Sequence, residues 1–305
     1  MRMTVTEKED GMTVKEFLAA NLDLSSKMLK YLKYRPDGIL RNGERVTVRA
    51  RLQKGDVLTL GIKDSRSPSR LEPVELPLEI LYEDEEIVVP SKPADMPTHP
   101  SHDHWHDTVA NALAFRYSSM EIPFVFRPIN RLDRDTSGLL LVARNKLSAG
   151  RLTRLMQAGK IRKTYLAIVE GADILQEGRI EKPLRRSRES VIVREVCEPE
   201  DPGAEPALTE YRTLARGVDC ALVEAHPLTG RTHQLRVHFA FIGHPLAGDT
   251  LYGLKNGRTE RQALHAYRLS FPHPTTGEEF CLTAPLPTDF REWINRFFPH
   301  EPIKI

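Results

Sequence analysis

The spacing of apolar residues predicts two helices near the start of the chain. Thr13-Val14-Lys15-Glu16 has the form of a capping box and precedes an apolar face made of Phe17, Leu18 and Leu22. Ser25 is placed to cap a second helix, whose apolar positions are Met28, Leu29 and Leu32. Both helices are therefore expected to belong to one small N-terminal unit.

A hairpin and a polar segment follow these helices. Arg41-Asn42-Gly43-Glu44 contains the Asn-Gly pair that readily adopts the positive φ values of a tight turn. Val46, Val48 and the run 57–60 would supply short strands. Residues 63–70 are polar, with Ser and Pro but no apolar period, which is typical of an interdomain linker. We therefore predict a small domain at residues 12–63, a linker at 64–74 and a larger domain at 75–300.

The larger domain carries strand and helix patterns in irregular alternation. Branched apolar runs predict strands within residues 79–89, 139–143, 165–169, 221–225, 269–271 and 280–283. Helices are predicted to begin near Thr108, Asn145 and Thr232, with Thr232 as a cap. A terminal helix would bury Phe290, Trp293, Ile294 and Phe297. This irregular order favours an α+β or mixed α/β sheet.

One stretch, residues 127–143, passes from a charged loop through Gly138 into a buried strand. Loops that feed such strands often present catalytic groups. Asp133 lies between Arg131 and Arg134, and nearby positive charge favours the ionised form of a carboxylate. From the residues alone, Asp133 could be a nucleophile, a general base, a metal ligand or half of a structural Asp–Arg pair.

The strings around Asp133 resemble those of a known family. Arg131-Leu132-Asp133-Arg134-Asp135-Thr136-Ser137-Gly138 resembles the active-site motif of the RluA family of pseudouridine synthases. Residues 163–167 and 229–238 resemble the second and third motifs, and the segment 243–249 follows as in the family. The chain departs from the family at Asn130, where many members have His, and at Ser91, where Asn is usual.

The resemblance implies an RNA pseudouridine synthase. Its fold would be a largely antiparallel mixed sheet with a central cleft, and its reaction would need neither a cofactor nor a metal. Asp133 would be the essential carboxylate, which either attacks the substrate covalently or removes a ribose proton. Tyr165 would stack on the target base, Arg236 would pair with Asp133, and Arg131 would hold or fill the gap left by the flipped base.

Basic charge is concentrated in two segments. Residues 12–63 hold eleven basic and five acidic residues, a net +6, and residues 131–163 hold nine and two, a net +7. Such segregation creates a local field for a polyanion. The N-terminal unit resembles the small RNA-binding domain of ribosomal protein S4, so Lys27, Lys30 and Lys33 are candidate RNA contacts, together with Arg131 and Arg231. The expected partner is ribosomal RNA, with transfer RNA as the second choice.

The composition bears on where the protein is found and on whether it binds a metal. No apolar run has the length of a membrane span, and the first ten residues are too polar for a signal peptide. The three cysteines are few and widely spaced, which predicts a reducing, cytoplasmic compartment. Four histidines, His99, His102, His104 and His106, suggest a metal site, but their spacing is not a recognised closed-site pattern and no Cys is near. We predict a monomer without metal.

Two rival functions remain at this level. A catalytically silent RNA-binding factor for ribosome assembly would use the same basic surfaces, although it would not need Asp133, Tyr165 and Arg236. A carboxylate-based glycosidase or nucleosidase would need two cooperating carboxylates, for which Asp135 is the nearby candidate.

Overall fold

The computed structural model describes residues 1–22, 24, 26–64, 67–68, 71–254, 257–299 and 303. Its N-terminal part has a small sheet made of β1 (Arg2–Thr4), β2 (Ile39–Arg41), β3 (Glu44–Arg45) and β4 (Val57–Leu60), in the order β1-β4-β2-β3. Two helices, α1 (Val14–Leu22) and α2 (Ser26–Tyr34), accompany it. The strand β1 lies before residue 12, where the sequence analysis placed the start of this domain. Three residues are too few to show a strand pattern, so β1 is recognised only through its pairing with β4.

The predicted helix start and hairpin turn of this part are confirmed, and one predicted strand is not. The Thr13 backbone N–H donates to Glu16 Oε2 at 2.8 Å, and the Glu16 N–H donates to Thr13 Oγ1 at 3.3 Å, which completes the capping box. Asn42 and Gly43 adopt φ values of 53° and 90° at the hairpin tip. Val46 and Val48, in contrast, lie beyond β3 in irregular backbone, so the predicted strand there is wrong. Ser25, the predicted cap of α2, lies outside the described residues.

The larger part is built on one extended sheet. Its strands and those of a neighbouring hairpin are, in chain order, β5 (Glu79–Glu83), β6 (Ile87–Lys92), β7 (Ser137–Leu139), β8 (Val142–Ala143), β9 (Arg162–Glu170), β10 (Glu177–Glu181), β11 (Leu184–Arg186), β12 (Arg194–Val196), β13 (Leu208–Arg216), β14 (Cys220–Pro227), β15 (Leu264–Pro272) and β16 (Glu279–Thr283). The main order is β10-β13-β14-β9-β15-β7-β6-β5, while β11 and β12 pair with each other. Among the described strand pairs only β7–β15 is parallel, which confirms the largely antiparallel mixed sheet.

The strand predicted at residues 139–143 is divided into β7 and β8, both of which pair with β6. Its start depends on Gly138, whose φ is 111°. A Cβ at this position would lie 2.2 Å from the Ala266 carbonyl oxygen of β15. The parallel pairing that brings the Asp133 loop against the sheet centre therefore requires glycine.

Four helices complete this part: α3 (Val109–Ser119), α4 (Lys146–Gln157), α5 (Gln234–Phe241) and α6 (Thr288–Phe297). Thr108 and Asn145 cap α3 and α4 through bonds to the backbone N–H groups of Asn111 and Ser148. The predicted cap of α5 is wrong, because the residue before the helix is His233 in the left-handed region and Thr232 is not part of the cap. None of the helices in the described ranges combines the length and apolar character needed to span a bilayer.

The two parts of the chain pack against each other. Leu147 of α4 is buried within the N-terminal core, beside residues such as Phe17 and Leu22. The Arg151 guanidinium donates to the Leu22 carbonyl, and Lys146 Nζ lies 3.5 Å from the centre of the Tyr31 ring. Within the predicted linker, Asp64 accepts two hydrogen bonds of 2.7 Å from Arg127. Asp64 is thus bound to the larger part, while residues 65, 66, 69 and 70 lie outside the description.

Candidate active site

The backbone around Asp133 is fixed by buried side chains from other elements. Thr98 Oγ1 donates to the Leu132 carbonyl at 2.8 Å, and Lys92 Nζ donates to the Arg134 carbonyl at 2.7 Å. Arg261 Nη1 donates to the Asp135 carbonyl at 2.9 Å. Because the carbonyls on both sides of Asp133 are held, the loop presents its carboxylate from a rigid support. The Asp133 side chain itself remains 26% exposed.

Arg236 contacts two carboxylates. Its Nη1 lies 3.4 Å from Asp133 Oδ2, as the sequence argument expected. Its Nε and Nη2 donate to the two oxygens of Asp249 at 2.7 and 2.8 Å, in a planar two-pronged contact with a side chain that is 0% exposed. Burial opposes the ionised form of Asp249, but the bonds and charge of Arg236, together with the backbone N–H groups of Leu251 and Tyr252, hold the pKa of Asp249 below its usual range.

Asp249 is a second partner of Arg236 that the sequence analysis did not name. The family resemblance implied a pairing with Asp133, and that contact is present. The structure gives the closer and better aligned contact to Asp249, which also accepts the backbone N–H groups of Leu251 and Tyr252. The signal was present in the segment 243–249, but only the fold shows that its last residue meets Arg236.

Tyr165 lies on β9, which neighbours β15 in the sheet, and its side chain is buried. Burial raises the pKa of Tyr165, and the negative charge of Asp133 raises it further. Tyr165 pairs with Ala266 of β15, which pairs on its other side with Gly138, five residues after Asp133. Asp133, Tyr165 and Arg236 therefore come together from a loop, a strand and a helix.

The candidate RNA contacts lie in two parts of the molecule: Arg131 and Arg231 belong to the larger part, and the three lysines belong to the N-terminal unit. Arg131 donates to Thr232 Oγ1 at 2.9 Å, so it joins the Asp133 loop to the segment before α5. Arg231 donates to the Pro206 carbonyl and to Glu205 at 3.0 and 2.9 Å, and none of its described bonds goes to Asp133. Lys27, Lys30 and Lys33 are exposed on α2 of the N-terminal unit, outside the group around Asp133.

Two buried lysines were missed by the sequence reasoning. Lys92 Nζ donates to the carbonyls of Pro93, Met96 and Arg134, and burial lowers its pKa to about 7. Burial also lowers the pKa of Lys163 to about 8, and its Nζ donates to the Thr229 carbonyl at 3.1 Å. A lysine at a strand end normally reaches solvent, so the sequence pattern gave no reason to place either one inside.

The histidines of the loop at 99–106 face separate partners. His102, His104 and His106 lie against the carboxylates of Asp103, Asp107 and Glu72, and His99 packs against the Phe126 ring. Within the described ranges no group of His, Cys, Asp and Glu side chains is arranged to hold a metal ion. The four histidines of this loop therefore contact four different side chains.

Comparison with known proteins places this arrangement in a family. A sequence profile described as RNA pseudouridylate synthase matches residues 86–241. The chain is 37% identical to the uncharacterized RNA pseudouridine synthase YjbO of Bacillus subtilis over 283 residues, 93% of this chain and 98% of the relative. It is 38% identical to ribosomal large subunit pseudouridine synthase D of Vibrio cholerae over 267 residues, 82% and 80% of the two chains. The solved structure of human RNA pseudouridylate synthase domain containing 1 superposes with a TM-score of 0.58 at 32% identity, covering 74% of this chain and 90% of that one. The chain therefore belongs to the RNA pseudouridylate synthase family, and it is an RNA pseudouridine synthase.

Proposed function

We propose that this enzyme isomerises uridines of large-subunit ribosomal RNA and that Asp133 is the carboxylate that carries the reaction. The observation that supports Asp133 most directly is its position: a partly exposed carboxylate in contact with Arg236, on a loop whose neighbouring carbonyls are held by three buried side chains. The choice of RNA rests on relatives such as the one from Vibrio cholerae, which is named a ribosomal large subunit pseudouridine synthase.

In this proposal each residue has its own task. A paired uridine must leave its helix to reach Asp133, at a cost of a few kcal/mol for unstacking. Tyr165, on the strand next to β15, would stack on the extruded base. Arg236 would hold the Asp133 carboxylate in one orientation, since Asp249 fixes the guanidinium from behind. Arg131, exposed and bound only to Thr232 in the bonds described, would contact the RNA from which the base has left.

The N-terminal unit would bind RNA outside the catalytic group. Its α2 presents Lys27, Lys30 and Lys33 to solvent, and the contacts of Leu147 and Arg151 attach the unit to α4. A basic helix held beside the catalytic part would contribute phosphate contacts while Asp133 reacts. In this proposal the S4-like unit supplies affinity, and the protein acts as a cytoplasmic monomer.

Asp133→Asn tests the assignment of the catalyst. The amide keeps the size and hydrogen bonds of the side chain but cannot act as a nucleophile or base, so we expect pseudouridine formation to fall by more than about 100-fold. RNA affinity should change little. The assay measures turnover of a large-subunit ribosomal RNA transcript, with transfer RNA transcripts in parallel and nucleotide-resolution mapping of the product.

Asp135→Asn is the matched control, because this carboxylate lies two residues along the same loop and its Oδ1 pairs with exposed Arg134. Its loss should cost far less activity. Substantial turnover by purified Asp133→Asn would remove Asp133 as the catalyst. Wild-type protein that binds ribosomal RNA without modifying it would favour the silent binding factor instead.

A further inference from the structure

His233 is held in an unusual backbone conformation immediately before α5. Its φ is 58°, in the left-handed region that is unfavourable for a residue other than glycine. The position is that of a helix N-cap, yet the His233 side chain makes no capping bond. Backbone strain of this kind persists only where the surrounding structure enforces it, and it is frequent at functional sites.

The His233 ring is turned toward the Asp133 carboxylate. Its Nε2 lies 3.9 Å from Asp133 Oδ2, and its side chain is 11% exposed. This separation is too long for a hydrogen bond in the free enzyme. Contacts between catalytic groups are often long before substrate binds and shorten in the complex.

The opposite nitrogen of the ring has a partner that can fix its protonation. His233 Nδ1 lies 2.8 Å from the Tyr252 hydroxyl, and that hydroxyl accepts the backbone N–H of Arg194, also at 2.8 Å. Since the Arg194 N–H occupies a lone pair of the oxygen, the Tyr252 proton is free to be donated to Nδ1. The remaining ring proton then belongs on Nε2, the nitrogen that faces Asp133.

The surroundings favour a neutral ring. Burial lowers the pKa of His233, and the positive charges of Arg236 and Arg194 lower it further, against the opposite effects of Asp133 and Asp249. Asp249 also holds Tyr252, because its Oδ1 accepts the Tyr252 backbone N–H at 3.1 Å. The buried carboxylate that fixes Arg236 thus fixes the group that orients His233.

We propose that His233 is a positioning residue for Asp133: a neutral imidazole, oriented by Tyr252, that directs its Nε2–H at Asp133 Oδ2, the oxygen that Arg236 Nη1 also faces. Two donors would then fix the carboxylate when the uridine binds. This inference rests on the proposed role of Asp133 and adds a residue to it. His233 acts through Asp133 and transfers no proton to the substrate.

The first test uses the resting enzyme and no RNA. Two-bond ¹⁵N–¹H correlation spectra of the imidazole rings report which nitrogen carries the proton, and the signal of His233 is identified by its loss in His233→Asn. We expect the Nε2–H form in the wild type and a mixture of both forms in Tyr252→Phe. An Nδ1–H ring in the wild type would overturn the proposal.

The second test measures kinetics on ribosomal RNA. Asparagine tolerates the left-handed backbone but is too short to reach Asp133, so His233→Asn should lower kcat by up to about 100-fold, the cost of small misplacement, with KM nearly unchanged. Glutamine can place its amide nitrogen near the position of Nε2, so His233→Gln should recover at least about tenfold of that loss. Unchanged kcat in His233→Asn, or equal activities of the two folded variants, would contradict the proposal.

Tyr117→Phe is the control for losing a buried tyrosine hydroxyl, since Tyr117 donates to Glu83 and its described hydrogen bonds include none to Asp133, His233 or Arg236. It should keep wild-type kcat, whereas Tyr252→Phe should lose several-fold. If the wild type forms no pseudouridine, the proposed function fails while the spectra still report the state of His233. The two failures are therefore distinguishable.

Discussion

At the scale of single residues, Asp249 decides how Arg236 is held. A guanidinium has donors for more than one acceptor, and here its two best-placed donors go to a fully buried carboxylate while a third reaches Asp133 at 3.4 Å. We therefore expect Arg236 to keep its place when Asp133 reacts. Asp249 thus supports the site without being exposed to the substrate.

Double-mutant cycles should reveal this difference in strength. We expect the stability coupling between Arg236 and Asp249 to exceed that between Arg236 and Asp133, because only the first pair makes two short bonds with a buried side chain. Arg236→Met should cost about 3–5 kcal/mol by leaving Asp249 unpaired, and adding Asp249→Asn should cost less than the sum of the single changes. Urea unfolding of the variants measures both couplings. Additive losses for the Arg236–Asp249 pair would show that the contact does not hold.

Lys92 should make stability depend on pH. Its pKa falls from an ordinary 10.5 to about 7 in the folded protein because the side chain is buried. Between pH 7 and 10 the unfolded chain therefore binds more protons at this site than the folded one, and the free energy of unfolding should rise with pH. The slope from this single residue is at most about 1.4 kcal/mol per pH unit.

Lys92→Met isolates that contribution. The variant loses the bonds to the carbonyls of Pro93, Met96 and Arg134, so it should be less stable than the wild type. The stability difference between wild type and variant should widen as pH rises from 7 to 10. A difference that stays constant over this window would mean that Lys92 keeps its proton throughout.

At the scale of elements, the start of α5 is organised by Gln234 and not by the predicted cap Thr232. The buried Gln234 amide accepts from Thr229 Oγ1 and the Arg231 N–H at 2.7 and 3.0 Å. It donates to the Leu208 carbonyl and to Thr209 Oγ1 at 2.9 and 3.0 Å. One side chain thereby joins the loop before α5 to the start of β13.

Comparing two alanine variants separates these roles. Gln234→Ala should cost about 2 kcal/mol or more, because it leaves several buried polar groups without partners. Thr232→Ala should cost less than about 0.5 kcal/mol, since the residue bonds only to exposed Arg131 in the contacts described. A helix cap would cost about 1 kcal/mol on removal. A loss of that size in Thr232→Ala, measured by thermal unfolding, would restore the capping role.

At the scale of the whole molecule, the N-terminal unit is attached through shared packing. Its core includes Leu147 from α4, and the pair Asp64–Arg127 holds the following segment. Removing residues 1–72 would expose Leu147 and leave Arg127 without that partner. Point changes on α2 are therefore a cleaner test of RNA binding than deletion.

Changing Lys27, Lys30 and Lys33 together to Gln should lower RNA affinity and its dependence on salt. Each lost phosphate contact lowers the slope of log affinity against log salt by about 0.7–0.9, so up to about 2–3 in total. Filter-binding or anisotropy titrations at several salt concentrations measure the slope. Lys8→Gln with Lys54→Gln is the control, because both residues belong to the same unit but lie outside α2. An unchanged slope in the triple variant would place the RNA elsewhere.

What the sequence determined by itself was local or carried by whole motifs. The capping box at Thr13, the Asn42-Gly43 turn and the apolar faces of α1 and α6 depend on neighbours within a few positions, so the pattern contains them completely. The ordered motifs around Asp133, Tyr165 and Arg236 predicted the family, and the comparisons confirm it. The mixed, largely antiparallel sheet was predicted for the same reason.

Only the tertiary structure decided which distant groups meet. Asp249 against Arg236, Lys92 beneath the Asp133 loop and His233 facing Asp133 join residues from separate elements. The strand β1, the division of β7 from β8 and the docking of Leu147 likewise depend on partners far along the chain. A buried polar side chain is stable only when its partners surround it, and those partners are set by the fold, which local periodicity does not encode.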